Sequence, residues 1–222
     1  MESRRPWVIA AALMAAIVYA AMWVGYVRDW AWLDAIDTVS LRVFHDFGVT
    51  HPGWVQFWVV FCIVFGPTGF RLMALVLIVA ALMRRNVQTA LFLIISVELM
   101  GLVTEMAKRL AGRPRPATAL TDAMSLSFPS GHALGVVVGV LALLTVVWPL
   151  AGPRLRTLLS VLGAVLIFTV GFSRVMLNVH HPSDVVAGWA LGFLYYLLCV
   201  RLMPPRRLTS AAETPPALDS VP

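Results

Sequence analysis

Charge is scarce in this chain. Only 13% of its 222 residues are Asp, Glu, Lys or Arg, and 60% are hydrophobic. A soluble domain of this size carries about 25% charged residues, so a soluble globular fold is excluded. Lysine occurs once, at Lys108, and cysteine twice, at Cys62 and Cys199. Both cysteines sit inside apolar runs without metal-ligand spacing, which excludes a disulfide framework or zinc site and leaves buried structural thiols. No internal repeat is evident. The net charge of +6 and pI near 10.1 would suggest nucleic acid in a soluble protein. Here loop arginines that set membrane orientation, together with a local cationic cluster, account for it, and no nucleic-acid partner is expected.

What the chain has instead is long apolar runs. Several reach the ~20 residues a helix needs to cross the hydrocarbon layer. Six spans are expected, at about 7–27, 67–83, 87–107, 132–150, 157–177 and 184–202. The first follows Arg4-Arg5 but is long for a signal peptide and lacks a small-residue cleavage site, so it reads as a retained span. Residues 28–66 alternate acids with Trp30, Trp32, Phe44, Phe47, Trp54, Phe57 and Trp58. Aromatics concentrate at membrane interfaces, and one or two interfacial helices are expected there, ending at Gly66-Pro67. The expected fold is all-α: a polytopic bundle of six transmembrane helices in one domain (1–203), followed by a disordered cytoplasmic tail (204–222) rich in Pro, Ala, Ser and Thr.

Arg4-Arg5, Arg84-Arg85, Arg154 with Arg156, and Arg201 with Arg206-Arg207 alternate along the chain as cytoplasmic flanks of six spans. The positive-inside rule then puts both termini in the cytoplasm of a multi-pass cell-membrane protein. Segments 28–66, 108–131 and 178–183 fall outside. Lys108, Arg109, Arg113 and Arg115 break the rule there, which points to a functional demand for positive charge.

Three outer segments carry that demand. Lys108 and Arg115 flank a loop stiffened by Pro114 and Pro116. Arginine grips phosphate through a planar fork, and lysine adds a point charge. Arg174, at the outer end of the fifth span, supplies a third cation. In Pro129-Ser130-Gly131-His132, Ser130 is a natural N-cap and Gly131 allows close backbone approach, so the helix start offers an anion site. His180 is followed four residues later by Asp184. A carboxylate on one ring nitrogen fixes the tautomer and leaves the other as nucleophile. His132 would be the general acid for the departing oxygen.

Lys108 with Arg115-Pro116, Pro129-Ser130-Gly131-His132, and Ser173-Arg174 with His180 and Asp184 resemble the three signature motifs of the type 2 phosphatidic acid phosphatase superfamily. The order and internal spacings agree, no motif position is substituted, and the resemblance covers about residues 67–202. It implies an integral-membrane lipid phosphatase in which His180 forms a phosphohistidine, Asp184 orients it and His132 protonates the leaving group. Lys108, Arg115, Arg174, Ser130 and Gly131 would hold the phosphoryl oxygens. It also implies chemistry without a metal or other cofactor. The sequence agrees, since only Asp122 and Asp184 are acids in the outer site loops, too few for a magnesium cage.

The remaining polar residues have ordinary readings. Arg113 is expected to be a solvated or headgroup-facing charge outside the site, and His181 a neighbour of the reactive His180. His45 and His51 read as surface residues. Glu98 and Glu105 share a face of the third span and are expected to pair structurally with Arg71 or Arg109. The expected substrate is a membrane lipid bearing a phosphate or diphosphate: a polyprenyl diphosphate such as undecaprenyl pyrophosphate, or a glycerolipid phosphate such as phosphatidic acid or phosphatidylglycerophosphate. Compact outer loops favour the polyprenyl carrier. The alternatives are a lipid phosphotransferase using the same intermediate and, more remotely, a lipid transporter. A transporter would show mirrored halves with broken helices at mid-membrane, and none is evident. Oligomeric state is not readable.

Overall fold

Four helices start on proline. Pro52, Pro67, Pro153 and Pro182 each occupy the first turn of a helix, where a missing N–H is harmless and the fixed φ is already helical. A computed structural model of the chain describes residues 5–206 with the exception of Met124. In order they form α1 (Arg5–Val27), α2 (Ala31–Thr50), α3 (Pro52–Phe65), α4 (Pro67–Met83), α5 (Val87–Leu93), α6 (Met100–Ala111), α7 (Gly131–Val147), α8 (Pro153–Met176) and α9 (Pro182–Leu202). A wide π-helical turn, Ile94–Glu98, joins α5 to α6, and no strand occurs among the described residues. Among the described residues, six stretches are long and apolar enough to cross a membrane: Pro6–Val27, Pro52–Met83, Val87–Ala111, Gly131–Leu150, Pro153–Met176 and Pro182–Leu202. The architecture is the all-α, six-span membrane bundle that the apolar runs predict.

The segment between the first two expected spans holds two helices of different character. α2 buries Leu33, Asp37 and Leu41 on one face, a four-residue spacing that makes one helical stripe, and packs on α8 and α9. α3 is apolar and runs into α4 with one break, at Gly66, whose backbone is extended. Together α3 and α4 make 32 residues, about 48 Å of helix, more than the ~30 Å hydrocarbon layer requires.

α7 is the axis of the bundle. Its buried residues run from Ala133 to Val146, and it packs against α4, α6, α8 and α9. α9 approaches closely because Gly188 has no side chain: a Cβ there would stand 2.6 Å from the Ser130 carbonyl. Away from the loops, Phe92, Leu93, Val97 and Val146 form the largest apolar cluster. Cys62 and Cys199 are buried free thiols, as their apolar setting predicts. α1 lies outermost against α9, and its Tyr19 and Tyr26 rings cover Phe128 at 5.8 and 6.4 Å.

Two helix starts differ from the sequence expectation. α8 begins at Pro153, so Arg154 and Arg156 belong to its first turns rather than to a loop, and α9 begins at Pro182. The tail expected at 204–222 lies outside the described residues from 207 onward. Before that point, the carbonyls of Pro204 and Arg206 accept hydrogen bonds from Gln88 (2.7 Å) and Thr89 (2.8 Å) at the start of α5.

Candidate active site

The starts of α4, α7 and α9 and the ends of α6 and α8 meet at one end of the bundle. They enclose a cavity of about 270 Å³ whose lining includes Arg71, Glu105, Lys108, Arg115, Ser125, Gly131, His132, Arg174 and His180. Six of the eight residues that the sequence singles out therefore line one space.

The loop between α6 and α7 is fixed by its own cations. Gly112 ends α6 in the left-handed conformation (φ 65), which glycine adopts without strain. Lys108 Nζ donates to Ser125 Oγ at 2.9 Å and to the Leu126 carbonyl. Arg115 donates to the Ser125 and Val179 carbonyls, both at 2.6 Å, which ties the loop to the turn after α8. In that turn Asn178 is left-handed (φ 54), a conformation asparagine tolerates. The Val179 and His180 amides fold back onto the Arg174 carbonyl. His180 is thereby aimed into the cavity beside Arg174, whose buried Nε has no partner among the described residues.

His180 is wholly buried. Its Nε2 lies 3.3 Å from Arg115 Nη1. A guanidinium only donates, so Nε2 carries the lone pair and Nδ1 the proton, facing Asp184 Oδ2 at 3.5 Å. Burial pushes the His180 pKa down to about 3; the Asp184 carboxylate opposes this, and the charges of Arg115 and Arg174 add to it. The imidazole is thus neutral at ordinary pH, the form a nucleophile needs. Burial, and then the positive charge of Arg174, lower the Arg115 pKa from its usual value.

Asp184 sits behind His180, away from the cavity. Its Oδ2 accepts from the His181 amide at 2.9 Å, from His181 Nδ1 at 3.1 Å and from the Ser127 hydroxyl. His181 is nearer to this carboxylate than His180 is, but it lines a different cavity, with Asp29, Asp34, Arg113 and Arg115. Of the two, His180 is the one that shares a space with Lys108 and Arg174.

Arg113 corrects the sequence reading. Instead of facing water or headgroups it is buried, donating to Asp184 Oδ1 (2.7 Å), Ser183 Oγ (2.7 Å) and Asp37 Oδ2 (2.8 Å). Burial works to lower its pKa, but the charges and hydrogen bonds of Asp184 and Asp37 outweigh it and raise the value. Two carboxylates without this cation would be buried unpaired, which is why it turns inward. Asp37 also accepts from the Ser183 amide at 3.0 Å. Sequence reasoning missed Asp37, Ser127 and Ser183 as well. The available signal was Asp37 itself, an acid in phase with Leu33 and Leu41 on the apolar stripe of α2.

Ser130 lies outside the cavity lining. It is fully buried as the N-cap of α7, its Oγ 3.5 Å from the Ala133 amide and its own N–H bound to the Asp184 carbonyl at 2.9 Å. Gly131 and His132 follow in the first turn, where amides are not used by the helix ladder. Glu105 pairs with Arg109 at 2.9 Å, one of the expected arrangements. Arg71 forms no ion pair with Glu98 or Glu105 among the described residues, and its Nε and one Glu98 oxygen are buried without partners. Among the described residues, His45 hydrogen-bonds the Thr118 carbonyl (3.2 Å) and His51 bonds to Phe47 and Thr50 at the end of α2.

Fold and cavity together define a class: a polytopic helical membrane protein with a cation-lined pocket and a histidine–carboxylate pair at one end of its bundle. The chain belongs to the PAP2 superfamily, which it matches over residues 89–208. It is similar to an undecaprenyl-diphosphatase of Sulfolobus acidocaldarius, with 33% identity over 126 residues, 54% of this chain and 57% of the relative. It is also similar to phosphatidylglycerophosphatase B of Bacillus subtilis, with 34% identity over 100 residues, 44% of this chain and 49% of the relative. The chain thus spans about half the length of these curated relatives. Its fold resembles the crystal structure of a transmembrane PAP2-type phosphatidylglycerolphosphate phosphatase from Bacillus subtilis. The TM-score is 0.60 at 25% identity, covering 88% of this chain and 94% of that one.

Proposed function

We propose that the protein is a membrane lipid phosphatase that hydrolyses a phosphate or diphosphate headgroup through a phosphohistidine on His180. The observation that carries this is the single cavity in which His180, backed by Asp184, meets Lys108, Arg115, Arg174 and His132. The Nε2 lone pair attacks phosphorus while Lys108, Arg115, Arg174 and the Gly131 amide hold the phosphoryl oxygens. Preorganised donors around developing charge supply most of the acceleration in such sites. The bond to the leaving oxygen breaks, and His132 donates the proton that oxygen takes up. Water then attacks the phosphohistidine and passes a proton to His132. The P–N electron pair returns to His180 as phosphate leaves. Ser130 acts through the helix start that it caps, and Asp184 by holding the His180 proton on Nδ1.

The donor set supports chemistry without a metal. The cavity wall carries four cations, and its one carboxylate, Glu105, is already paired with Arg109. Such a wall repels a divalent ion and attracts a phosphate. The arginine-bearing ends of α4 and α9 lie opposite the cavity, and the positive-inside rule then puts the site on the extracytoplasmic face and both termini in the cytoplasm. The substrate class is a polyprenyl diphosphate or a glycerolipid phosphate, and the short loops around the cavity favour the former.

The test is phosphate release by purified protein in detergent from undecaprenyl diphosphate, phosphatidic acid and phosphatidylglycerophosphate. Wild type should release phosphate from at least one, and His180→Ala from none. Equal release by both proteins, or none by wild type, refutes the proposal.

A further inference from the structure

We propose that Arg71 forms a second phosphate subsite, one that holds the lipid-side phosphate of a diphosphate ester. The inference rests on the phosphatase reading above and names the substrate class within it. Arg71 lies one turn into α4, outside the family match at 89–208 and outside the three motifs, yet it lines the same cavity as His180. It carries the mark that Arg174 carries: a buried guanidinium Nε without a partner. A cation in an apolar span is expensive and is kept for a purpose.

The protein makes room for this side chain. A Cβ on Gly101 would stand 2.9 Å from Arg71 Nη2, so α6 is notched where the guanidinium lies. Gly101, Thr104 and Lys108 line one wall of the cavity, a rise of about 10 Å along the helix. Lys108 and Arg115 stand at the loop end of that wall and Arg71 at the inner end, giving two cationic stations. A phosphate monoester carries at most two negative charges and occupies one station. A diphosphate ester carries more charge and spans both.

The lipid tail fixes the order of the two phosphates. Leu72 and Leu75, which follow Arg71 on α4, and Leu102, which follows Gly101 on α6, are exposed, an apolar flank suited to a prenyl chain. The terminal phosphorus then faces His180. Nε2 bonds to it, the bond to the bridging oxygen breaks, and the electron pair stays with the lipid phosphate. That group departs as a phosphate anion held against Arg71, its former bridging oxygen taking the proton from His132. A monophosphate substrate has an alcohol at this position and places no anion there.

The experiment compares a polyprenyl diphosphate with the monophosphate of the same prenyl chain, using full-length protein in detergent. Arg71→Met should lower kcat/KM on the diphosphate ~10–100-fold, the scale of lost charge-assisted hydrogen bonds. On the monophosphate it should change kcat/KM by less than about threefold. Wild type should bind inorganic pyrophosphate, as a competitive inhibitor, more tightly than orthophosphate, and Arg71→Lys should narrow that gap, a reading available even if the methionine variant fails to fold. Equal losses on both esters, an unchanged diphosphate rate or an unchanged inhibitor gap overturn the subsite. Wild-type turnover of the monophosphate but never of the diphosphate overturns it too and leaves the phosphatase reading standing. Turnover of neither ester overturns both.

Discussion

Arg113 Nη1 and Asp184 Oδ1 lie 2.7 Å apart in the interior of the protein, and the same guanidinium reaches Asp37 at 2.8 Å. One arginine thus ties the carboxylate behind His180 to α2. Arg113→Ala should destabilise the protein by about 3–5 kcal/mol, the range for breaking a buried ion pair, because it strands two carboxylates. Thermal midpoints in detergent read this out. Asp37→Asn combined with Arg113→Met should be less damaging than Arg113→Ala, and an unchanged midpoint in the alanine variant would contradict the buried network.

His180 predicts a pH dependence of stability. Burial holds its folded pKa at about 3, below the ~6.5 of an unfolded histidine. Between these values the unfolded chain binds a proton that the folded chain refuses, so stability is full above about pH 6.5 and falls as pH falls toward 3. The slope approaches about 1.4 kcal/mol per pH unit, or ~2 kcal/mol between pH 6.5 and 5. The difference between wild type and His180→Asn in unfolding free energy against pH isolates this term, and parallel curves would rule it out.

A cation-lined cavity should work without a divalent ion and accept a five-coordinate anion. Phosphate release should survive a metal chelator, and vanadate should inhibit competitively. A requirement for added magnesium, or indifference to vanadate, counts against the scheme.

His132 is tested by the leaving group. His132→Ala should lose ~10²-fold or more on an ordinary alkyl phosphate, the usual contribution of a general acid, and far less on an activated aryl ester whose oxygen departs unprotonated. Equal losses on the two esters would remove His132 from that role.

Much of this was legible in the chain. The apolar runs gave six spans because a bilayer demands ~20 residues of helix whatever the tertiary detail. Lys108, Arg115, Arg174, His132 and His180 converge because their spacings hold them at helix ends. Arg113 was misread because local sequence shows a third arginine in a polar loop and not the two acids, Asp37 and Asp184, that draw it inward from elsewhere in the fold. Ser130 was read as both the N-cap of α7 and a phosphate ligand, and the cap is what the structure shows. Its amide is taken up by the Asp184 carbonyl of α9, whose close approach depends on Gly188. The apolar character of α3 was visible, but its run into α4 depends on how sharply Gly66 bends, which composition does not encode.

The bond from the Ser130 amide to the Asp184 carbonyl joins the mouth of one membrane helix to the mouth of another, main chain to main chain. The spacing between the start of α7 and the carboxylate behind His180 is therefore set by main chain and not by any rotamer. A bilayer that thickens, thins or tilts the surrounding spans carries both halves of the machinery together, as one rigid piece.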